Sequence, residues 1–178
     1  MDQEQQIRLL IDRGLEWLRE QRQLHRPGAH PLEAAQREAF VRFFPAEMLE
    51  EARFKTVPLI QNPPFYKELG IPAETILDWS SGRAVTFHDT VLLSKKNEPP
   101  PAEIPALLFH ELVHVAQYQV LGIHGFANRY VRGWVAADMR YEAIPIESHA
   151  EELSSRFSRN PDEPFEVLRE IDRRATEY

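Results

Sequence analysis

Leu107-Leu108-Phe109-His110-Glu111-Leu112-Val113-His114-Val115-Ala116-Gln117-Tyr118 sets an HExxH pattern inside an apolar run, and the rest of the chain is read outward from it. At about 3.6 residues per turn, His110 and His114 lie one above the other on one helical face, so both imidazoles reach a single metal ion. Glu111 stands one step round the helix, where its carboxylate approaches a water at the metal's open position without being a ligand. Zinc held by three protein groups lowers the pKa of such a water to about 7, and a neighbouring carboxylate takes the proton as hydroxide attacks a carbonyl. The pattern points to hydrolysis of an amide.

Composition alone gives about a 3% chance of one such five-residue pattern, so its surroundings carry weight. Leu107, Leu108, Phe109, Leu112, Val113, Val115, Ala116, Val120 and Leu121 surround it, as in a central helix buried on most sides. Two histidines and a glutamate there are costly unless something binds or pairs them. The extended HExxHxxGxxH form is absent, because Gln117 and Val120 occupy the positions of its glycine and third histidine. A third ligand must come from farther along. Ile144 to Leu153 is the best segment: Pro145 marks a helix start, and Ile146, Ala150, Leu153 and Phe157 form an apolar stripe. Glu147 and His149 flank that stripe about 160° apart, so they do not face the same metal. Small Ala150, one turn after Glu147, lets the two helices approach and favours Glu147 over His149. Glu142, Glu151 and His124 are further ligand candidates.

FHELVHVAQYQVLG, then GFANRY, then YEAIPIESHAEEL, preceded by the strand-like VTFHDTVLL, resembles the small bacterial zincin-type metallopeptidase domains of the gluzincin kind. In those domains a glutamate on a later helix completes the HExxH site. The resemblance runs from Phe43 to Phe157. It implies an α+β, zincin-like fold, zinc as cofactor, His110, His114 and Glu147 as its ligands, and Glu111 as catalytic base. One departure is His149, where this pattern tends to carry an acidic residue; it points to a changed substrate preference or altered surroundings of the metal.

The 178 residues and 43% hydrophobic content predict one domain with its own core. Its parts are a helical portion over 1–51, a small mixed or antiparallel sheet over 52–96, and the active helix with C-terminal helices over 102–178. With no cysteine, disulfides and thiolate ligands are excluded, leaving histidine and carboxylate as metal donors. Such His2Glu sets also accept cobalt, nickel or manganese. A net charge of -7, with basic residues scattered along the chain, argues against nucleic acid or an anionic membrane as partner. Met1 to Gln6 lacks the features of a secretory signal and no stretch reaches bilayer-spanning length, so a cytoplasmic protein is expected.

Ile7, Leu10, Ile11, Leu15 and Leu18 recur at helical spacing and predict an amphipathic helix over Gln3–Leu24, broken by His25 to Pro31. A second helix is expected from Leu32 to Phe44, and a short one from Ala46 to Glu51. Trp17, Phe40, Phe43 and Phe44 read as core. Phe54, Val57 and Ile60, and then Val85, Phe87, Val91 and Leu93, read as strands. Ala84 to Ser94 is expected to form the sheet edge on which an extended peptide docks. Lys95 to Pro101 reads as a surface loop. Gly122 is expected to end the active helix, Phe126, Tyr130 and Trp134 to mark the next, and Pro164 to Ala175 to form the last.

Hydrolysis also needs a donor for the developing oxyanion. Tyr141 is the preferred candidate, ahead of His149, Tyr118 and Arg140. The leading expectation is a zinc-dependent peptidase acting on a peptide or protein. The alternative is a catalytically silent zincin-like binding module with a structural or vestigial metal, against which the intact Glu111 counts. A metal-free helical interaction protein is the third reading; it predicts that partner binding survives loss of both histidines.

Overall fold

Apolar spacing and capping chemistry set out the helices. The computed structural model describes residues 2–71 and 76–176. Helix α1 (Gln3–His25) starts at a capping box in which Asp2 accepts from the Gln5 amide (2.8 Å) and the Gln5 side chain accepts from the Asp2 amide (3.1 Å). It buries Ile11, Leu15, Trp17 and Leu18. Helix α2 (Ala34–Phe40) is shorter than the expected span to Phe44, because Pro45 pushes Phe44 out of helical backbone and the Phe43 amide closes a tighter turn onto Phe40 O (2.9 Å). Helix α3 (Ala46–Glu51) leads into β1 (Arg53–Val57), and the short α4 (Phe65–Glu68), which the periodicity does not announce, follows Pro63 and Pro64.

Strands β2 (Ala84–Phe87) and β3 (Thr90–Ser94) form a hairpin, and β3 also pairs in parallel with β1, giving the order β1-β3-β2. The chain is therefore α+β with a small mixed sheet. The outer side of β1 is met by His30, which exchanges main-chain hydrogen bonds with Phe54 (2.9 and 2.7 Å). This leaves β2 as the edge and places β3 in the middle, so the expected edge over Ala84 to Ser94 is half edge and half interior strand.

Helix α5 (Ile104–Ala136) crosses the centre and is broken at Gly122, whose φ of 68° and ψ of 161° belong to backbone that only glycine adopts readily. The break lets the second half turn, so that Phe126 stacks on Tyr118 with ring centres 3.8 Å apart. Beyond it, Asp138 (φ 51°) and Met139 (φ 63°) reverse the chain in left-handed backbone, and Met139 N donates to Trp134 O (3.0 Å). The turn Tyr141–Ala143 and helix α6 (Pro145–Arg159) then run back along α5. Helix α7 (Val167–Arg174) is shorter than expected because the residues before it dock instead: Phe165 enters the aromatic core and Val167 N donates to Phe43 O (3.1 Å).

The main core gathers Phe40, Phe43, Phe44, Phe109, Phe157 and Phe165. Phe109 of α5 stacks on Phe157 of α6 at 4.4 Å, with planes 9° apart. That contact lies one residue from His110 and locks the two helices in register. Some basic residues gather in space: Arg22 and Arg26 close on Asp89 of the hairpin turn, and they line a surface groove together with Arg19 and Arg53.

Candidate metal centre

The amphipathic pattern that buries α5 also turns His110, Glu111 and His114 toward one end of α6. His114 Nε2 lies 3.1 Å from His110 Nε2 and 3.2 Å from Glu147 Oε2, and His110 Nε2 lies 3.4 Å from the same oxygen. A tetrahedral ion with bonds of about 2.1 Å sets its donors roughly 3.4 Å apart, so this triangle has the dimensions of one face of a zinc site. Among the described residues it is the group of histidine and carboxylate donors able to hold a metal.

Two of the three donors are held from behind. His114 Nδ1 donates to Gln117 Oε1 (2.8 Å), and Gln117 Nε2 donates to Ile146 O (3.0 Å). The carbonyl fixes the amide's orientation, the amide fixes the imidazole tautomer, and Nε2 is left for a metal. The Tyr130 hydroxyl donates to Glu147 Oε1 (2.8 Å), which turns Oε2 toward the histidines. His110 Nδ1 has the exposed Glu151 carboxylate 3.7 Å away. Burial pulls the His114 pKa down, but the Glu147 charge and hydrogen bond prevail and lift it to about 9. Burial pushes Glu147 up, and the two imidazoles outweigh it and hold the carboxyl well below its usual range. Protons and a divalent cation compete for the same donors.

Glu111 is buried beside this cluster, and Thr86 Oγ1 of β2 donates to its Oε2 (2.5 Å). Tyr141 stands on the turn before α6, exposed over 44% of its surface, with its hydroxyl turned in to donate to Glu147 Oε2 (2.6 Å). Burial, reinforced by the Glu147 charge, raises its pKa, so the phenol keeps its proton.

The remaining candidates lie elsewhere. His149 is buried, its pKa is lowered to about 4 by burial and by Arg174 of α7, and it is not among the donors that converge with the two histidines. His124 meets Arg19 of α1 (2.9 Å). Arg140 donates to Ala137 O (3.3 Å), and the buried Tyr118 hydroxyl donates to Thr86 O (3.4 Å). Gln117, Tyr130 and Thr86 were not singled out as site residues from the sequence. The i, i+3 spacing from His114 to Gln117 carried a signal for the first; no local pattern carried one for the others.

An open cleft of about 670 Å³ runs past His110, Glu111 and Tyr141, rimmed by Glu103, Glu142 and Glu151. A second, apolar cavity is lined in part by Glu111 and Glu147 and adjoins the cleft. No helix among the described residues is long and apolar enough to cross a membrane. No protein-family model, characterised protein or solved structure matches the chain.

Proposed function

We propose that this chain is a zinc-dependent peptidase or amide hydrolase of zincin-like design, with His110, His114 and Glu147 as metal ligands and Glu111 as general base. The observation that carries the reading is the convergence of the three donor atoms within 3.1–3.4 Å of one another, beside a buried carboxylate that is not one of them. Zinc in this setting supplies Lewis acidity, polarising a carbonyl and acidifying water toward neutral pH. Glu111 takes the proton from the attacking water and returns it to the leaving amine, while Thr86 holds one of its oxygens in place. Tyr141, protonated and at the mouth of the cleft, donates to the developing oxyanion.

An extended peptide fits the edge strand. Ser94 N donates to Arg83 O (2.8 Å), and by the alternation of an antiparallel pair the main-chain groups of Ala84 and Thr86 point away from β3, toward the cleft side. Thr86 O is met by Tyr118, so Ala84 supplies the open rung. Glu103 on the rim of the cleft is paired with Arg83 (2.7 Å), which leaves Glu142 and Glu151 to suit peptides that carry positive charge near the cleaved bond.

The test begins with elemental analysis of protein purified without added metal or chelator. About one zinc per chain is expected, with Glu147→Ala losing it. Glu111→Gln is expected to keep zinc and lose peptide hydrolysis by at least about 100-fold, and Tyr141→Phe to slow turnover at unchanged zinc content. A native protein that holds no metal and takes up none on titration would overturn the proposal. Zinc binding without hydrolysis of any peptide in a mixed library would favour the silent binding module.

A further inference from the structure

We infer that the apolar cavity beside Glu111 and Glu147 is a specificity pocket for one bulky aliphatic or aromatic side chain of the substrate, and that Gly14 of α1 sets its depth. The inference rests on the hydrolase reading above and adds the substrate class.

The cavity has a volume of about 110 Å³ and is walled by Gly14, Trp17, Trp79, Phe87, Tyr130 and Trp134. It reaches Glu111, His114 and Glu147, and shares Leu77, Trp79, Ala84, Glu111 and Tyr141 with the open cleft, so the two spaces adjoin beside the donor cluster. All four residues of β2, Ala84 to Phe87, line it, so a backbone held on β2 lies alongside the cavity. An apolar cavity of about 150 Å³ holds benzene, so this one takes a leucine-sized side chain as it stands and a phenyl ring after small side-chain movements. The carboxylates on its wall are already engaged, Glu111 by Thr86 (2.5 Å) and Glu147 by Tyr130 (2.8 Å) and Tyr141 (2.6 Å), which disfavours a cationic occupant.

Gly14 is the telling residue. It lies in the middle of α1, where glycine costs roughly 1 kcal/mol against alanine, and its φ is not positive. A Cβ built there meets nothing within 4 Å. Neither backbone conformation nor close packing calls for glycine; what its missing side chain does is leave the cavity open along α1.

Zinc-loaded wild type and Gly14→Leu are titrated with acetohydroxamate, 4-methylpentanohydroxamate and 3-phenylpropanohydroxamate, which share a metal-binding head and differ in the apolar tail. Either tail is expected to tighten binding to the wild type by about 10- to 100-fold over acetohydroxamate. Gly14→Leu is expected to lose that gain while keeping its zinc, its acetohydroxamate affinity and a melting temperature at or above that of the wild type. Equal affinity for all three probes, or a tail gain that survives in Gly14→Leu, overturns the pocket and leaves the hydrolase reading standing. A second arm needs no metal: toluene is titrated into zinc-free protein with tryptophan fluorescence as readout, since Trp17, Trp79 and Trp134 all line the cavity, and a change is expected in wild type but not in Gly14→Leu. Toluene uptake together with failure of acetohydroxamate to bind overturns the hydrolase reading, and with it the assignment of this cavity to a substrate.

Discussion

In the metal site proposed here, much lies outside the ligands, as Glu147 illustrates. Its two oxygens have different tasks, one facing the imidazoles and one held by Tyr130, while Gln117 performs the same office for His114. Groups behind metal ligands typically account for 10- to 100-fold in affinity. Gln117→Leu and Tyr130→Phe are each expected to weaken zinc binding by about that factor, read by competition with a chromogenic chelator, with the far-ultraviolet circular dichroism unchanged. Wild-type affinity in both variants would mean that packing alone orients the donors. The sequence announced Gln117 only as the residue standing where a longer motif has glycine.

At the scale of elements, the site is the meeting of α5 and α6. Aromatic stacking of Phe109 on Phe157 holds the helices at one end, and the contact of Gly133 with Pro145 brings them together at the other. A Cβ on Gly133 would lie 2.8 Å from Pro145 Cδ and 3.4 Å from Ile144 Cγ2, and both of these neighbours are ring or branched carbons next to the start of α6. Alanine there gains about 1 kcal/mol of helix propensity, yet something must shift. Gly133→Ala is expected to lower both the melting temperature and zinc affinity, because the shift is transmitted to Glu147, two residues beyond Pro145. A higher melting temperature with unaltered affinity would show that Pro145 yields without moving the ligand. Gly122 acts differently: nothing crowds it, and glycine is required for its backbone alone.

For the whole molecule, the hairpin that supports Glu111 is tied to α1 by Asp89. Arg22 grips that carboxylate with two hydrogen bonds (2.8 and 2.7 Å), and Arg26 adds a contact at 2.9 Å. Burial pushes the Asp89 pKa up, but the His88 imidazole 3.5 Å away and the two hydrogen bonds from Arg22 outweigh it and hold the group well below its ordinary value. A depressed carboxyl pKa stabilises the fold above the unfolded-state value of about 3.9, and the contribution disappears as pH falls through the folded value. Asp89→Asn is expected to cost about 1–3 kcal/mol at pH 7, read by urea unfolding, with the gap from wild type closing below about pH 4. A gap that persists unchanged at pH 2 would assign the loss to packing instead.

Chain-local information set out the longer helices and the pair of histidines, but not the short α4 or the ends of α2 and α7. The spacing of His110 and His114, the capping box at Asp2, the break at Gly122 and the stripe of Phe126, Tyr130 and Trp134 all depend on residues within two turns of one another, and all are readable from order alone. Glu147 could be favoured over His149 by spacing, but only the packing of α6 on α5 turns the one toward the histidines and the other toward α7. The edge role of β2, the Thr86 hydroxyl under Glu111 and the cavity lined by Gly14 depend on segments far apart in the chain, Thr86 and Glu111 by 25 residues and Gly14 and Glu147 by 133. Periodicity specifies which face of an element is apolar. Which element that face meets is decided by burial summed over the whole core, and that is where the chemistry of this site is assembled.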